Sequence, residues 1–168
     1  MTNEMTNYQN NQENIVEETE NYKVIKLEDG TFLKKMKYQK IWTAIPETEE
    51  DQIKMYQVLN SNEEDELVTP LKNMLKQEII IKNYFTNPYQ SFDKATGEST
   101  DAVTTIIEDI EGHFYATSSK TVYYDLLRLA ETFNTPNTPD YRPIIVKVNG
   151  TRQQKGIQIS LSFVGFQK

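Results

Sequence analysis

The order of secondary-structure signals in the last ninety residues constrains this chain more than any other feature. Three β-rich runs come first, followed by one helical segment and then by two further β-rich runs. Valine, isoleucine, threonine and aromatic residues dominate the β-rich runs, and that composition is typical of strands. The runs cover residues 79–92 with a break at Asn87-Pro88, then residues 102–110, 113–117, 142–148 and 157–163.

The helical segment between the third and fourth runs is short and amphipathic. It follows the N-cap candidates Ser118 and Ser119 and ends before two prolines within residues 134–139. The order β-β-β-α-β-β predicts a mainly β protein built on the OB-fold, a five-stranded barrel that commonly binds single-stranded nucleic acid. The apolar residues of the helical segment recur at the spacing of one helix face, at Val122, Leu126, Leu129, Ala130 and Phe133.

The residues before the barrel divide into two parts by composition. Residues 1–20 hold five acids, no base and many Asn, Gln and Thr residues, so we predict a disordered acidic tail. Residues 21–75 predict an N-terminal extension packed on the barrel, with a β-hairpin around residues 28–31 and a helix that Pro46 opens. The apolar face of that helix is predicted at Ile53, Tyr56 and either Leu59 or Asn60. Residues 76–168 form the predicted barrel.

Charge is unevenly spread along the chain. The net charge is −7, but residues 31–40 hold four lysines and no acid, and residues 79–168 hold nine acids and nine bases. The acidic excess lies in residues 1–30 and 41–78. Since local fields over a groove can differ in sign from the net charge, the acidic balance does not exclude nucleic acid as a partner of the barrel.

The residue inventory excludes several classes of function. The chain has no cysteine, which excludes disulfides, cysteine-based zinc sites and thiol catalysis. Its single histidine, His113, is interpreted as a strand histidine, with base stacking as the alternative. We find no nucleophile–base set and no phosphate-binding glycine motif, and we interpret the acid clusters at Glu108-Asp109 and Glu63 to Glu66 as solvated surface, with cation binding as the alternative. We therefore predict no enzyme, no cofactor and no metal site. No apolar run approaches the ~20 residues that span a bilayer, and we expect a cytoplasmic protein without membrane contact.

Three stretches of the barrel region carry a family resemblance. They are Lys82 to Phe85 with the later FDKATGE run, residues 111–120 (EGHFYATSSK) running into a leucine-rich helix, and Val146-Lys147-Val148 with Lys155-Gly156. Through them, residues 71–165 resemble the small single-stranded DNA-binding proteins encoded by phages and mobile elements of Gram-positive bacteria. The resemblance implies an OB-fold and sequence-independent binding of single-stranded DNA. It also implies a role in DNA replication or recombination, with partners among replication or recombination proteins.

Candidate DNA-contacting residues follow from the chemistry of a single strand, whose bases stack on aromatic rings while lysines and arginines neutralise its phosphates. The aromatic candidates on strand faces predicted to be wet are Tyr84, Tyr89 and Tyr115. The basic segment at 149–156 is predicted to be a loop or hairpin tip that its glycines keep mobile and that brings Arg152 and Lys155 to the DNA strand. The remaining phosphate candidates are Lys82, Lys94, Lys120 and Lys147. The extension adds Lys35, Lys37 and Trp42, for which packing of Trp42 in the core is the alternative.

A second class of function fits the same barrel. A protein–protein adaptor, or an inhibitor that occupies a host factor, would use the acidic balance of the chain to mimic DNA. Binding of an oligo-dT strand distinguishes this alternative from a single-stranded DNA-binding module.

Overall fold

Strand-forming residues dominate the described part of the chain, which in this computed structural model comprises residues 14–18, 22–61 and 66–168, apart from the side chains of Lys35 and Met36. The chain forms two compact units. The first unit contains the described residues up to Tyr38 together with Gln90–Asp101, and the second contains Gln39–Tyr89 and Ala102–Lys168. The predicted boundary at residue 76 falls inside the second unit.

The first unit holds a three-stranded antiparallel sheet. Its strands are β1 (Ile15–Glu18), β2 (Tyr22–Lys26) and β3 (Phe32–Met36), in the order β1-β2-β3. The predicted hairpin is confirmed, since β2 and β3 pair across a turn in which the Asp29 carboxylate accepts a hydrogen bond from the Thr31 backbone N–H (2.9 Å).

The tail prediction is wrong for residues 15–18, because these residues form β1 and Ile15 pairs with the buried Ile25. Ile15 and Val16 are β-branched residues that favour extended backbone, and the edge of β2 offers them unpaired N–H and C=O groups. The rest of the predicted tail, residues 1–13 and 19–20, lies outside the described residues.

The second unit is mainly β, with two helices against a curled sheet. Strand β4 (Ile41–Trp42), helix α1 (Glu49–Leu59) and strand β5 (Val68–Pro70) precede a 3₁₀ turn at Leu71–Met74. The elements that follow keep the predicted order of three strands, one helix and two strands. They are β6 (Glu78–Phe92), β7 (Ser99–Asp109), β8 (Phe114–Thr117), α2 (Lys120–Thr132), β9 (Ile144–Gln153) and β10 (Gly156–Phe166).

The main sheet holds seven strands, two more than the predicted five. Its order is β10-β9-β6-β7-β8-β5, and β4 pairs with β6 off this path. The two additional strands, β4 and β5, are two and three residues long. A strand that short gives no readable alternation in sequence. The predicted break at Asn87-Pro88 is wrong as well, since β6 is continuous from Glu78 to Phe92.

Two hydrophobic cores lie on opposite faces of the sheet in the second unit. The main core lies under α2 and contains Ile107, Val122, Leu126 and Val146. The smaller core contains Val58, Phe85, Ile106 and Phe114. Neighbouring residues on a strand point to opposite faces, so adjacent pairs such as Ile106-Ile107 divide between the two cores. The central strands are therefore buried on both faces.

Helix α1 covers the smaller core with a different face from the one predicted. Val58 is buried, and Met55 and Leu59 pack against the same core. Ile53 and Tyr56 are instead 53% and 71% exposed, so the predicted apolar face is wrong at both positions. The helix begins after Thr48, whose hydroxyl accepts a hydrogen bond from the Asp51 backbone N–H (3.1 Å). Neither α1 nor α2, nor any other described helix, is long and apolar enough to cross a membrane.

Candidate nucleic-acid interface

The hairpin of β9 and β10 is longer and more regular than the sequence predicts. The two strands pair from Phe166 opposite Ile144 to Gly156 opposite Gln153, and only Gln154 and Lys155 form the turn. The prediction of a hairpin here is confirmed, but its turn is shorter than the predicted segment 149–156, because residues 149–153 belong to β9. Lys155 occupies the tip, and Arg152 lies in the ladder opposite Ile157.

The glycines of this hairpin have structural roles. A Cβ atom at Gly150 would lie 2.8 Å from side-chain carbons of both Ile157 and Leu75, so the backbone passes too close for any larger residue to fit without a shift. Gly156 follows the turn with φ +123°, a conformation that favours glycine. Gly150 thus permits close packing, and Gly156 permits the tight turn that positions Lys155.

The start of α2 is tied to this hairpin by side-chain hydrogen bonds. The Ser119 hydroxyl accepts from the Val122 backbone N–H (3.3 Å), which caps the helix, and donates to the Ile159 carbonyl (2.7 Å). The Gln158 amide donates to the Thr121 hydroxyl (2.5 Å). These bonds hold the first residues of the helix, Lys120 among them, beside β10.

Two neighbouring cavities open along this junction. One, of about 330 Å³, lies between β5, β8 and β10, and the other, of about 360 Å³, lies between the start of α2 and the β9–β10 turn. They share Thr117, Ser118 and Ile159 and so form one continuous groove. We call it the lysine groove, after the three lysines that line it, Lys72, Lys120 and Lys155.

The lining of the lysine groove suits a polyanion. Among the described residues that line the two cavities there are three lysines and no Asp or Glu, although the whole chain is acidic. Serine and threonine hydroxyls along the groove are able to donate hydrogen bonds to phosphate oxygens. Its apolar wall includes Val68, Pro70 and Ile159, and no aromatic residue lines either cavity in the part of the chain that the structure describes. The groove thus offers charge and hydrogen bonds, without a stacking platform.

The structure brings together two of the predicted phosphate contacts, Lys120 and Lys155, and adds one that sequence reasoning missed. Lys72 lies in the 3₁₀ turn after β5, 48 positions before Lys120. Its local sequence is an ordinary short turn, and no spacing rule links it to the other two lysines. Only the pairing of β5 with β8 brings it to the groove.

Tyr84 and Tyr115 were predicted to face solvent, and this prediction is wrong. Both are buried in the main core, and burial raises the pKa of each phenol to about 12. Their neighbours Phe85 and Phe114 are buried in the smaller core on the other face. The sequence indicated one wet face for these strands, but the tyrosine side packs in the main core under α2, and the phenylalanine side is covered by α1 and Trp42.

Trp42 packs against the smaller core, as the alternative interpretation predicts. Its ring is half-buried and meets Phe85 edge to face at 5.9 Å, with the Lys40 ammonium 4.7 Å from the ring centre. The indole Nε1 is buried and has no hydrogen-bond partner. Because Phe85 contacts the indole ring and Lys40 lies over it, little of the ring surface is left to stack on a base.

The other predicted contacts are dispersed over exposed positions outside the lysine groove. Lys82 lies 3.8 Å from the Glu108 carboxylate, which neutralises part of its charge. Tyr89 is 39% exposed and is the last residue of β6 that belongs to the second unit. The side chain of Lys35 lies outside the described residues. The remaining candidates, exposed on strands or turns, are Lys37, Lys94, Lys147 and Arg152.

Sequence reasoning also missed a cluster at the turn before β8. Carboxylate and imidazole atoms of Asp109, Glu111 and His113 all lie within 4.8 Å of one another. The Asp109 carboxylate accepts hydrogen bonds from the backbone N–H groups of Glu111 and His113 (2.9 Å each) and from the Tyr115 hydroxyl (3.1 Å). Its oxygens are thus committed to holding the turn. His113 is exposed, just ahead of β8.

Comparison with known proteins gives one relative of the same length. The single-stranded DNA-binding protein of Bacillus phage GA-1 is 30% identical to this chain over 172 aligned positions, which take in all of this chain and 99% of the relative. No family model matches the chain, and no solved structure matches it.

Proposed function

Because the chain belongs to the family of phage single-stranded DNA-binding proteins, we propose that it binds single-stranded DNA independently of sequence, and that the lysine groove holds the sugar-phosphate backbone. It is a binding protein and not an enzyme. The observation that carries the proposal is a groove whose described lining holds three lysines and no acid, in a chain of net charge −7.

The fold and the biological role follow from the same proposal. The order of β6, β7, β8, α2, β9 and β10 supports an OB-type barrel, with the extension of residues 39–75 packed on it. A sequence-independent protein of this kind would cover single strands exposed during phage or mobile-element DNA replication or recombination, in the host cytoplasm. Replication or recombination proteins are the partners to be expected there.

Binding through the lysine groove has a distinct electrostatic signature. Lysines that neutralise phosphates release counterions, so affinity falls as salt rises, with a slope of about −0.7 per contacted phosphate on a single strand. Hydroxyls and an apolar wall do not read base edges. We therefore expect similar affinity for oligonucleotides of different composition, and weaker binding of duplex, whose bases are enclosed.

The test is fluorescence anisotropy with labelled oligo-dT and a duplex of equal length, at several salt concentrations. In the Lys120→Ala/Lys155→Ala variant, affinity for oligo-dT should fall several-fold at low salt, and the salt slope should lose about 1.4 in magnitude. Lys168→Ala is the control, since this exposed lysine lies outside both cavities.

Absence of oligo-dT binding by the natural chain at low salt, or equal affinity for duplex, would overturn the proposal and favour the adaptor alternative. An unchanged salt slope in the double variant would overturn the assignment of the groove alone.

A further inference from the structure

The two faces of the sheet in the first unit differ in how deeply their side chains are buried. Residues paired across an antiparallel ladder share a face, so the register of β2 with β3 places Lys26 with Phe32 and Val24 with Lys34 on one side. Ile25, which is buried, and its partner Leu33 lie on the other side. The buried side chain of this sheet, Ile25, therefore lies on the side opposite to Lys26 and Phe32.

The first side carries an exposed aromatic ring between lysines. Phe32 is 64% exposed, although it sits within a regular strand, and Lys26 and Lys34 are exposed beside it. Alternate residues of a strand lie about 7 Å apart on one face. We call this surface the Phe32 face, made of Tyr22, Val24, Lys26, Phe32 and Lys34 together with Glu17 of β1.

Tyr22 adds a second ring that is held in place. Its hydroxyl donates to the Glu17 carboxylate (2.8 Å), and this hydrogen bond raises the pKa of Tyr22 above its ordinary value. The Lys34 ammonium lies 4.1 Å from the centre of the Tyr22 ring. Glu17 is the acidic residue that the described register places on this face, and its carboxylate already accepts from Tyr22.

We propose that the Phe32 face is a second contact surface for single-stranded DNA, with Phe32 stacking on a base and Lys26 and Lys34 neutralising phosphates. The inference rests on the proposed function and deepens it. The lysine groove has no aromatic lining, whereas base stacking on rings is a general source of sequence-tolerant affinity for single strands. Two exposed lysines stand here against the engaged Glu17 carboxylate, while Asp101, the other acid that raises the Tyr22 pKa, is buried and accepts a hydrogen bond from Gln90. The exposed charge of the face is therefore complementary to a polyanion.

The experiment compares two adjacent exposed residues that point to opposite sides of β3. Phe32→Ala should weaken oligo-dT binding by about fivefold or more, because one base-stacking contact is lost. Leu33→Ala, on the opposite side and 44% exposed in the natural chain, should change it less than twofold. Circular dichroism and sedimentation velocity at the binding concentrations show whether each variant keeps the natural fold and assembly state.

A second measurement does not depend on loss of affinity. In Phe32→Trp, oligo-dT should quench the new indole fluorescence, whereas in Leu33→Trp it should leave the new signal unchanged. Lys26→Ala/Lys34→Ala should lower the magnitude of the salt slope by about 1.4.

Three outcomes would overturn the inference while leaving the proposed function intact, provided the natural chain binds oligo-dT. One is unchanged affinity of Phe32→Ala, and another is equal quenching of the two tryptophan variants. The third is a changed sedimentation coefficient in Phe32→Ala, which would mark the face as an interface between copies of the chain. Failure of the natural chain to bind oligo-dT would instead be a failure of the proposed function.

Discussion

The lysine groove and the Phe32 face present different chemistry to the same ligand. The groove combines three lysines with hydroxyls and an aliphatic wall, and the face combines two aromatic rings with two lysines. Lysine–phosphate contacts weaken with salt, whereas stacking is much less sensitive to it. Both surfaces are proposed contacts for a polyanion on an acidic chain, and their responses to salt should distinguish one from the other.

The largest expected effect comes from removing all the groove lysines. In Lys72→Ala/Lys120→Ala/Lys155→Ala we expect affinity for oligo-dT at low salt to fall by more than tenfold and the salt slope to lose about 2 in magnitude. Phe32→Ala should shift the whole salt titration in parallel, with the slope unchanged. If the triple variant also shifted the curve in parallel, the distinction between a charged groove and a stacking face would be wrong.

A smaller effect is expected from removing residues 1–20, which takes away β1 and the pairing of Ile15 with Ile25. The second unit should keep its fold, because none of its strands pairs with β1. We expect the truncation to lower oligo-dT affinity no more than Phe32→Ala does, and Phe32→Ala to add little in the truncated chain, since both act on one surface. Additive losses in this double-mutant cycle would separate β1 from the Phe32 face.

The smallest effect at neutral pH concerns the rings that the fold buries. Tyr84 and Tyr115 have pKa values raised from 10 to about 12, so the folded state favours their neutral form. That contribution to stability is complete below pH 10 and is lost as pH rises from 10 through about 12. We expect melting temperature to be flat between pH 7 and 9, and tyrosinate absorbance near pH 12 to rise together with unfolding. Ionisation of all ten tyrosines below pH 11 with the fold retained would contradict this burial.

Periodic patterns in the sequence predicted elements that pack on one side. The stripe from Val122 to Phe133 identified α2, and the turn signal at residues 28–31 identified the β2–β3 hairpin. The order of strands and helix over the last ninety residues followed from such local signals, as did Lys120 and Lys155 as candidates.

Packing from elsewhere in the chain was not readable in the same way. Tyr84 and Tyr115 were predicted to face solvent because alternation cannot show that both faces of a strand are covered, here the tyrosine side by α2 and the opposite side by α1. Gly150 looked like a loop residue because its close approach to Leu75 is a tertiary contact. Lys72 belongs to the groove through a parallel pairing of β5 with β8, which depends on residues 46 positions apart.

The cover that α1 gives to the smaller core has a practical consequence for dividing the chain. A fragment that began at residue 76 would keep every strand from β6 to β10, yet it would lose Val58, Met55 and Trp42 from above Phe85, Ile106 and Phe114. The uncovered strands would expose a contiguous hydrophobic surface of the kind that drives self-association. The shortest fragment that we expect to fold as an isolated domain therefore starts near Gln39, where the second unit begins, and includes α1.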